Sequence, residues 1–343
     1  MADISDRYRR QIRFAPFGEE GQLKLHEARV LIVGCGALGC ASADLLVRAG
    51  VGFVRIVDRD FVERDNLHRQ VLFIEADAAA QLPKAVAGAS RLAAVNSEVT
   101  IEPIVADVNA TNIKRLGGDV QVIVDGTDNF ETRYLINDFA VANNLPWIFA
   151  GCVGAEGQTM AIVPGKSPCL SCFLPEPPPA ASMPTCETAG VLAPIVSVVA
   201  AYQAMEALKL LSGNVAAVNP QLTVFDLWNN QLRSINMRTS RRADCLTCSE
   251  RQFPWLAGER GTAVTKLCGR NSVQFSPASA EPADLVVLAD KFRVLGQVMT
   301  NPYLVRLAVG DYLITVFADG RSIVGGTEDE AEARTVLAKY VGS

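Results

Sequence analysis

From Arg29 onward, short runs of β-branched and aliphatic residues alternate with stretches whose apolar positions recur every three or four residues. "RVLIVG", "FVRIVD", "VTIEPIVA", "DVQVIVDGT" and "PWIFAG" read as strands with both faces apolar. Between them, Ala37 to Ala49, "PKAVAGASRLAAVN", the short "NATNIKRLG" and "ETRYLINDFAVANN" read as helices. This alternation predicts an α/β fold built on a doubly wound, mainly parallel sheet, with its ligand at the carboxyl ends of the strands. After Gly151 the period shortens. "GQTMAIVPG" and "QLTVFDLWNNQLRSINM" alternate like antiparallel strands and predict an extension of the sheet. Between these lies "FLPEPPPAASMPT", whose four prolines within Pro175 to Pro179 exclude helix and central strand. A mobile crossover loop is expected there, over about 173–190. A long helix from about Ala193 to Leu211 follows. It lies in the longest apolar segment of the chain, but Gln203, Glu206 and Lys209 fall in it at helical spacing, so it reads as a buried helix and no membrane association is expected.

A second boundary falls near Glu250 to Gly261. Beyond it, "SVQFS", a helix around Asp284 to Leu295, "PYLVRLAVGDYLITVFADGRSIVGG" and a helix from Glu328 to Tyr340 predict a small α+β domain over 262–343. It holds one cysteine, Cys268, no histidine and no evident catalytic constellation.

Composition narrows the setting. The 343 residues are 49% hydrophobic and 20% charged, enough for one large domain plus the small one. A net charge of −5 argues against a general grip on nucleic acid, despite the local cluster Arg7, Arg9, Arg10 and Arg13 in "RYRRQIR". The polar start "MADISDRYRR" does not read as a signal peptide, and nine cysteines in such a chain point to a reducing compartment; a cytoplasmic protein is expected.

Gly34, Gly36 and Gly39 fit GxGxxG between a strand and a helix, with Ala37 inside the turn. Such a turn permits close backbone approach, and the helix start offers N–H groups to a phosphate. Asp58 ends the next strand, where an acid accepts hydrogen bonds from ribose hydroxyls. Alone, this favours a nicotinamide or flavin enzyme. The following "DRDFVERDNLHRQVLF" and "LPK" reverse the balance. They place Asp58, Asp60, Asn66, Arg69 and Lys84 near one carboxyl edge, and cations there suit a breaking triphosphate better than a nicotinamide slot. "DGTDN" adds Asp128, a carboxylate for magnesium, with Asn129 beside it. Singly, each has a plainer reading: Asn66 as the cap of a turn, Arg69 as a solvated charge.

"CLSC" and "CLTC" place Cys169, Cys172, Cys245 and Cys248 in two pairs. Two such pairs complete a tetrahedron of thiolates with no open position, which predicts structural zinc; an iron–sulfur cluster or a redox CxxC is the alternative. Cys186, in "MPTCETAG", belongs to neither pair and reads either as an ordinary loop cysteine or as a thiol for nucleophilic chemistry. Cys152 is a rival for that role, while Cys35 and Cys40 read as small core residues. His26 and His68 are the only histidines, and His68 falls inside "NLHRQ".

Taken together, "RYRRQI", "GCGALG", "DRDFVERDNLHRQ", "PK", "GTDN" and "TCETAGVLAP" resemble the MoeB/ThiF/HesA adenylyltransferases, relatives of the ubiquitin-activating enzymes, over about Asp6 to Cys248. The resemblance implies a Rossmann-like adenylation domain over 1–250 that binds ATP and magnesium. It implies adenylation of the C-terminal glycine carboxylate of a small ubiquitin-like sulfur-carrier protein ending in Gly-Gly. It implies Asp58 on the ribose, Asn66, Arg69 and Lys84 on the phosphates and Asp128 on the metal. Arg10 would reach the ATP site of the neighbouring subunit, so a homodimer is expected. Cys186 can be the sulfur-handling residue, and a cysteine desulfurase or other sulfur donor is an expected partner. Ala37 departs from the glycine often found there. Two other readings stay open: a nicotinamide-dependent oxidoreductase, and a tRNA-modifying dehydratase of the same superfamily. The small C-terminal domain does not resemble a rhodanese; a docking role is one option for it.

Overall fold

The computed structural model describes residues 4–179, 186–261, 264–267, 271–275 and 283–342. They fall into two compact units, Met1–Arg260 and Gly261–Ser343. In the first, β1 (Arg29–Val33), β2 (Phe53–Asp58), β3 (Thr100–Val105), β4 (Val122–Asp125) and β5 (Trp147–Val153) run parallel. β6 (Glu156–Ile162), β7 (Leu222–Asp226) and β8 (Gln231–Ile235) continue the sheet antiparallel. The order is β3-β2-β1-β4-β5-β6-β7-β8. β1 therefore pairs with β2 on one side and β4 on the other, and its carboxyl end is the switch point where ligands bind in such sheets.

The apolar runs are explained by burial on both faces. Val30, Ile32, Val54 and Ile56 join one core with residues of the helices Ala37–Ala49 and Lys84–Val95. Leu31, Val33, Val57 and Ile123 join the other with the helix Phe130–Ala142. The helix Ala193–Leu211 is long and apolar enough to cross a membrane by length and composition. It instead packs against the sheet through polar ties. Buried Gln203 donates to the carbonyls of Asp125 at 2.9 Å and Ile148 at 3.1 Å, and Glu206 accepts from the Asn219 N–H at 2.8 Å.

Three glycines close the junction of β1, the helix Ala37–Ala49 and β4. Gly34 has φ +90° and donates its N–H to Val57 O at 2.8 Å. A Cβ at Gly39 would lie 1.9 Å from Gly34 O, and one at Gly126 would lie 2.5 Å from the same oxygen. Gly39→Ala should therefore force the turn off the helix, costing about 1–3 kcal/mol. A lowered midpoint of urea unfolding checks this; an unchanged midpoint contradicts it. At Gly36 the neighbour nearest to an added Cβ is Gly126 O at 3.8 Å, so the backbone here stays open to a ligand.

The second unit is an antiparallel sheet of β9 (Val264–Leu267), β10 (Ser272–Phe275), β11 (Gln297–Asn301), β12 (Leu304–Val309), β13 (Tyr312–Phe317) and β14 (Ser322–Gly325), ordered β11-β12-β13-β14-β10-β9. Its helices Leu285–Arg293 and Glu330–Tyr340 are capped by Asp284 and Asp329, and they bury Phe292 and Ala333 against Val305, Leu307, Ile314 and Val324. Cys268 lies outside the described residues.

Candidate functional site

The site grows from the carboxyl ends of β1, β2 and β4. Asp58, the last residue of β2, reaches back to the glycine turn: one oxygen accepts the Cys35 N–H at 2.6 Å and the other the Asp60 N–H at 2.6 Å. Burial pushes its carboxyl up, and the charge of Lys84 opposes the shift. Lys84 opens the helix Lys84–Val95, and its own N–H donates to Asp60 O at 2.9 Å. Its buried Nζ stands 3.2 Å from Asp60 Oδ2. The turn, Asp58, Asp60 and Lys84 thus form one connected chain, and the N-terminus of the helix Ala37–Ala49 faces the same edge. Such an edge presents backbone N–H groups and a cation to a polyphosphate.

Asn66 and Arg69 occupy the next turn. Asn66 is buried; its Oδ1 accepts the Glu63 N–H at 3.4 Å and its Nδ2 donates to Asp65 Oδ1 at 2.8 Å. Arg69 donates from Nη1 to Asp65 O at 2.9 Å, with His68 Nε2 3.5 Å away. Asn66 therefore caps its own turn, as its plainer reading has it, while Arg69 leans on the same turn through Asp65 O. Asp128 is exposed after β4, and Asn129 caps the helix Phe130–Ala142, its Oδ1 accepting the Thr132 N–H at 2.8 Å.

Sequence reasoning missed the support of that loop. Asp125, fully buried at the end of β4, accepts the Thr127 N–H at 2.9 Å, the Thr127 hydroxyl at 2.7 Å and Arg133 Nε at 3.0 Å. Arg133 Nη2 donates to Thr127 O and Ala150 O, each at 2.8 Å. A buried pair with its hydrogen bonds satisfied fixes the backbone that presents Asp128. The only sequence signal is an acid ending an apolar strand with an arginine eight residues on. Arg59 was missed too: its Nη1 lies 3.3 Å from both oxygens of Asp107.

The four paired cysteines converge. Their sulfurs lie within 4.8 Å of one another, with Cys169–Cys172 at 3.9 Å, Cys169–Cys245 at 3.6 Å and Cys172–Cys248 at 3.4 Å. A zinc ion bonded to four thiolates spaces its sulfurs by about 3.8 Å, so this donor set fits zinc. Side chains of one helix brace both knuckles. Asn137 Oδ1 accepts the Leu170 N–H at 2.9 Å, and Asp138 accepts the Thr247 hydroxyl at 3.1 Å and the Trp255 N–H at 3.0 Å. Burial pushes the Asp138 carboxyl up to about 6.

Of the remaining candidates, Cys35 is tied to this edge by its N–H bond to Asp58 Oδ2 at 2.6 Å. Arg10 is exposed on the helix Ile4–Ile12. Cys186 begins the short helix Cys186–Ala189, and its side chain lies outside the described residues, as does 180–185 of the crossover. Cys152 is half-buried near the end of β5. Cys35 and Cys40 are fully buried core residues, their sulfurs 3.8 Å apart.

A glycine turn at a sheet's switch point, with Asp58, Asp60 and buried Lys84 against it, suits an enzyme that binds the phosphates of a nucleotide. The model of the ThiF family matches residues 8–247, and the chain belongs to that family. It is 44% identical over 340 residues to a sulfur carrier protein ThiS adenylyltransferase of Bacillus subtilis, covering 99% of this chain and 100% of that one. A SAMP-activating enzyme E1 of Haloferax volcanii is 37% identical over 71% of this chain and 89% of its own length. An adenylyltransferase and sulfurtransferase MOCS3 of Culex quinquefasciatus is 37% identical over 71% of this chain, which spans only 55% of that relative. Among solved structures, E. coli MccB with ATP matches with a TM-score of 0.61 and 26% identity, over 71% of this chain and 74% of that one. Family membership favours adenylation over the nicotinamide reading of the glycine turn.

Proposed function

We propose that this chain uses ATP to adenylate the C-terminal glycine carboxylate of a small ubiquitin-like sulfur-carrier protein ending in Gly-Gly. The observation that carries the reading is the cluster of Asp58, Asp60 and Lys84 against the glycine turn, in a chain that matches a ThiS adenylyltransferase end to end. A carboxylate oxygen of the carrier attacks the α-phosphorus, the α–β anhydride bond breaks and pyrophosphate leaves. The carboxylate is already ionised, so no general base is needed. Gly34 to Gly39 cradle phosphate through backbone N–H groups, Asp58 holds the ribose, and Asn66, Arg69 and Lys84 stabilise charge developing on the leaving group.

Asp128, beside Asn129, would hold magnesium, which neutralises phosphate charge when bound. Zinc on Cys169, Cys172, Cys245 and Cys248 is structural. In a homodimer, Arg10 reaches the neighbouring subunit's ATP. The Cys186 thiolate attacks the acyl-adenylate carbonyl, forming a thioester as AMP leaves, or carries persulfide sulfur from a cysteine desulfurase or another donor to that carbonyl with the same loss of AMP. Adenylation is assigned to 1–250, and 262–343 contributes none of these residues. The cytoplasm is the proposed compartment, and cofactor biosynthesis of the thiamine or molybdenum type the proposed setting.

Incubation with ATP, labelled pyrophosphate and a Gly-Gly carrier should give carrier-dependent isotope exchange. Absence of exchange with every such carrier in folded dimer rejects the proposal. Tight NADH binding without ATP binding would favour an oxidoreductase instead.

A further inference from the structure

We propose that Arg59, pinned by Asp107, is the platform on which the adenine ring of ATP stacks. The inference rests on the nucleotide site proposed above and adds the contact that grips the base. Sheet order supplies the direction. The phosphate-binding turn follows β1, and the ribose acid Asp58 ends β2, the next strand out. A nucleotide laid along this edge from turn to Asp58 carries its base onward, over the ends of β2 and β3. Arg59 is the residue after Asp58, and Asp107 lies two residues past the end of β3. The backbone bond from the Ala106 N–H to Asp58 O, 3.1 Å, keeps these two segments in step.

The chemistry favours a ring over a phosphate. Arg59 Nη1 sits 3.3 Å from both Asp107 oxygens, so the guanidinium is anchored at one nitrogen before any ligand arrives. The two side chains are 22% and 23% exposed, so both keep some surface open to a ligand. Asp58, Asp60 and Asp128 also act on Arg59, and together with Asp107 they hold it charged despite burial. A guanidinium paired with Asp107, in the field of three further carboxylates, has less attraction left for an anion. Its flat face still stacks on a π-system. Arg69 differs: it donates to a main-chain carbonyl, that of Asp65.

The test compares two probes, Mg-ATP and magnesium tripolyphosphate, which lacks the base. Calorimetry is run on the full-length protein and on Arg59→Met and Arg59→Lys. Arg59→Met should weaken ATP roughly fivefold to tenfold and tripolyphosphate by less than about twofold. Arg59→Lys keeps the charge but loses the plane, and should show the same selective loss. Unchanged ATP affinity in folded Arg59→Met, equal weakening of both probes, or wild-type ATP affinity in Arg59→Lys each overturns the platform. Failure of the wild-type protein to bind ATP at all would instead overturn the proposed function.

Discussion

A chain carrying Cys172→Ala will lose its zinc and melt at a lower temperature. Four sulfurs within 4.8 Å of one another form a closed set, and three thiolates hold the ion far more weakly than four. Binding free energy at such a site is folding free energy, about 10–16 kcal/mol in isolated zinc peptides. Here the knuckles are also braced by Asn137 and Asp138, so only part of that stabilisation is lost. A loss of roughly 4–5 kcal/mol would lower the transition of the first unit by about 10–20 °C. Calorimetry with metal analysis should show about one zinc per wild-type chain and almost none in the variant. A metal-free wild-type protein that melts where the loaded one does would show that the cysteines hold nothing of consequence.

The second large effect concerns turnover. Lys84→Ala should reduce carrier-dependent pyrophosphate exchange by about 10²–10³-fold, the range for a donor aimed at developing charge. Its Nζ is the buried cation beside Asp60, which itself lies next to Asp58. Without it, those carboxylates face the triphosphate with less compensation, so binding and chemistry suffer together. Arg69→Ala should lose rate with little change in melting, because its main-chain bond lies at the surface. Exchange by Lys84→Ala within about threefold of wild type would remove Lys84 from the reaction.

The sequence carried the sheet because both faces of β1, β2 and β4 are buried, which leaves continuous apolar runs. The switch to β6, β7 and β8 showed as alternation, since those strands pair antiparallel toward an exposed edge. The four paired cysteines were legible from their spacing, and the family resemblance strengthened the zinc reading. Other features depend on distance along the chain. Arg59 meets Asp107 across 48 residues, and Thr247 meets Asp138 across 109. No local period encodes such meetings. Asn66 and Asn129 show the opposite limit: a polar residue at a turn can cap its own backbone, and only the folded geometry reveals that both do so here.

One helix links the two centres. Arg133, near the start of Phe130–Ala142, secures the nucleotide loop, while Asn137 and Asp138 secure the two cysteine knuckles. Five residues of helix separate Arg133 from Asp138, about 8 Å along the axis. A rod this short transmits displacement with little slack. The proposed ATP site and the cysteine cluster therefore lean on the same short helix.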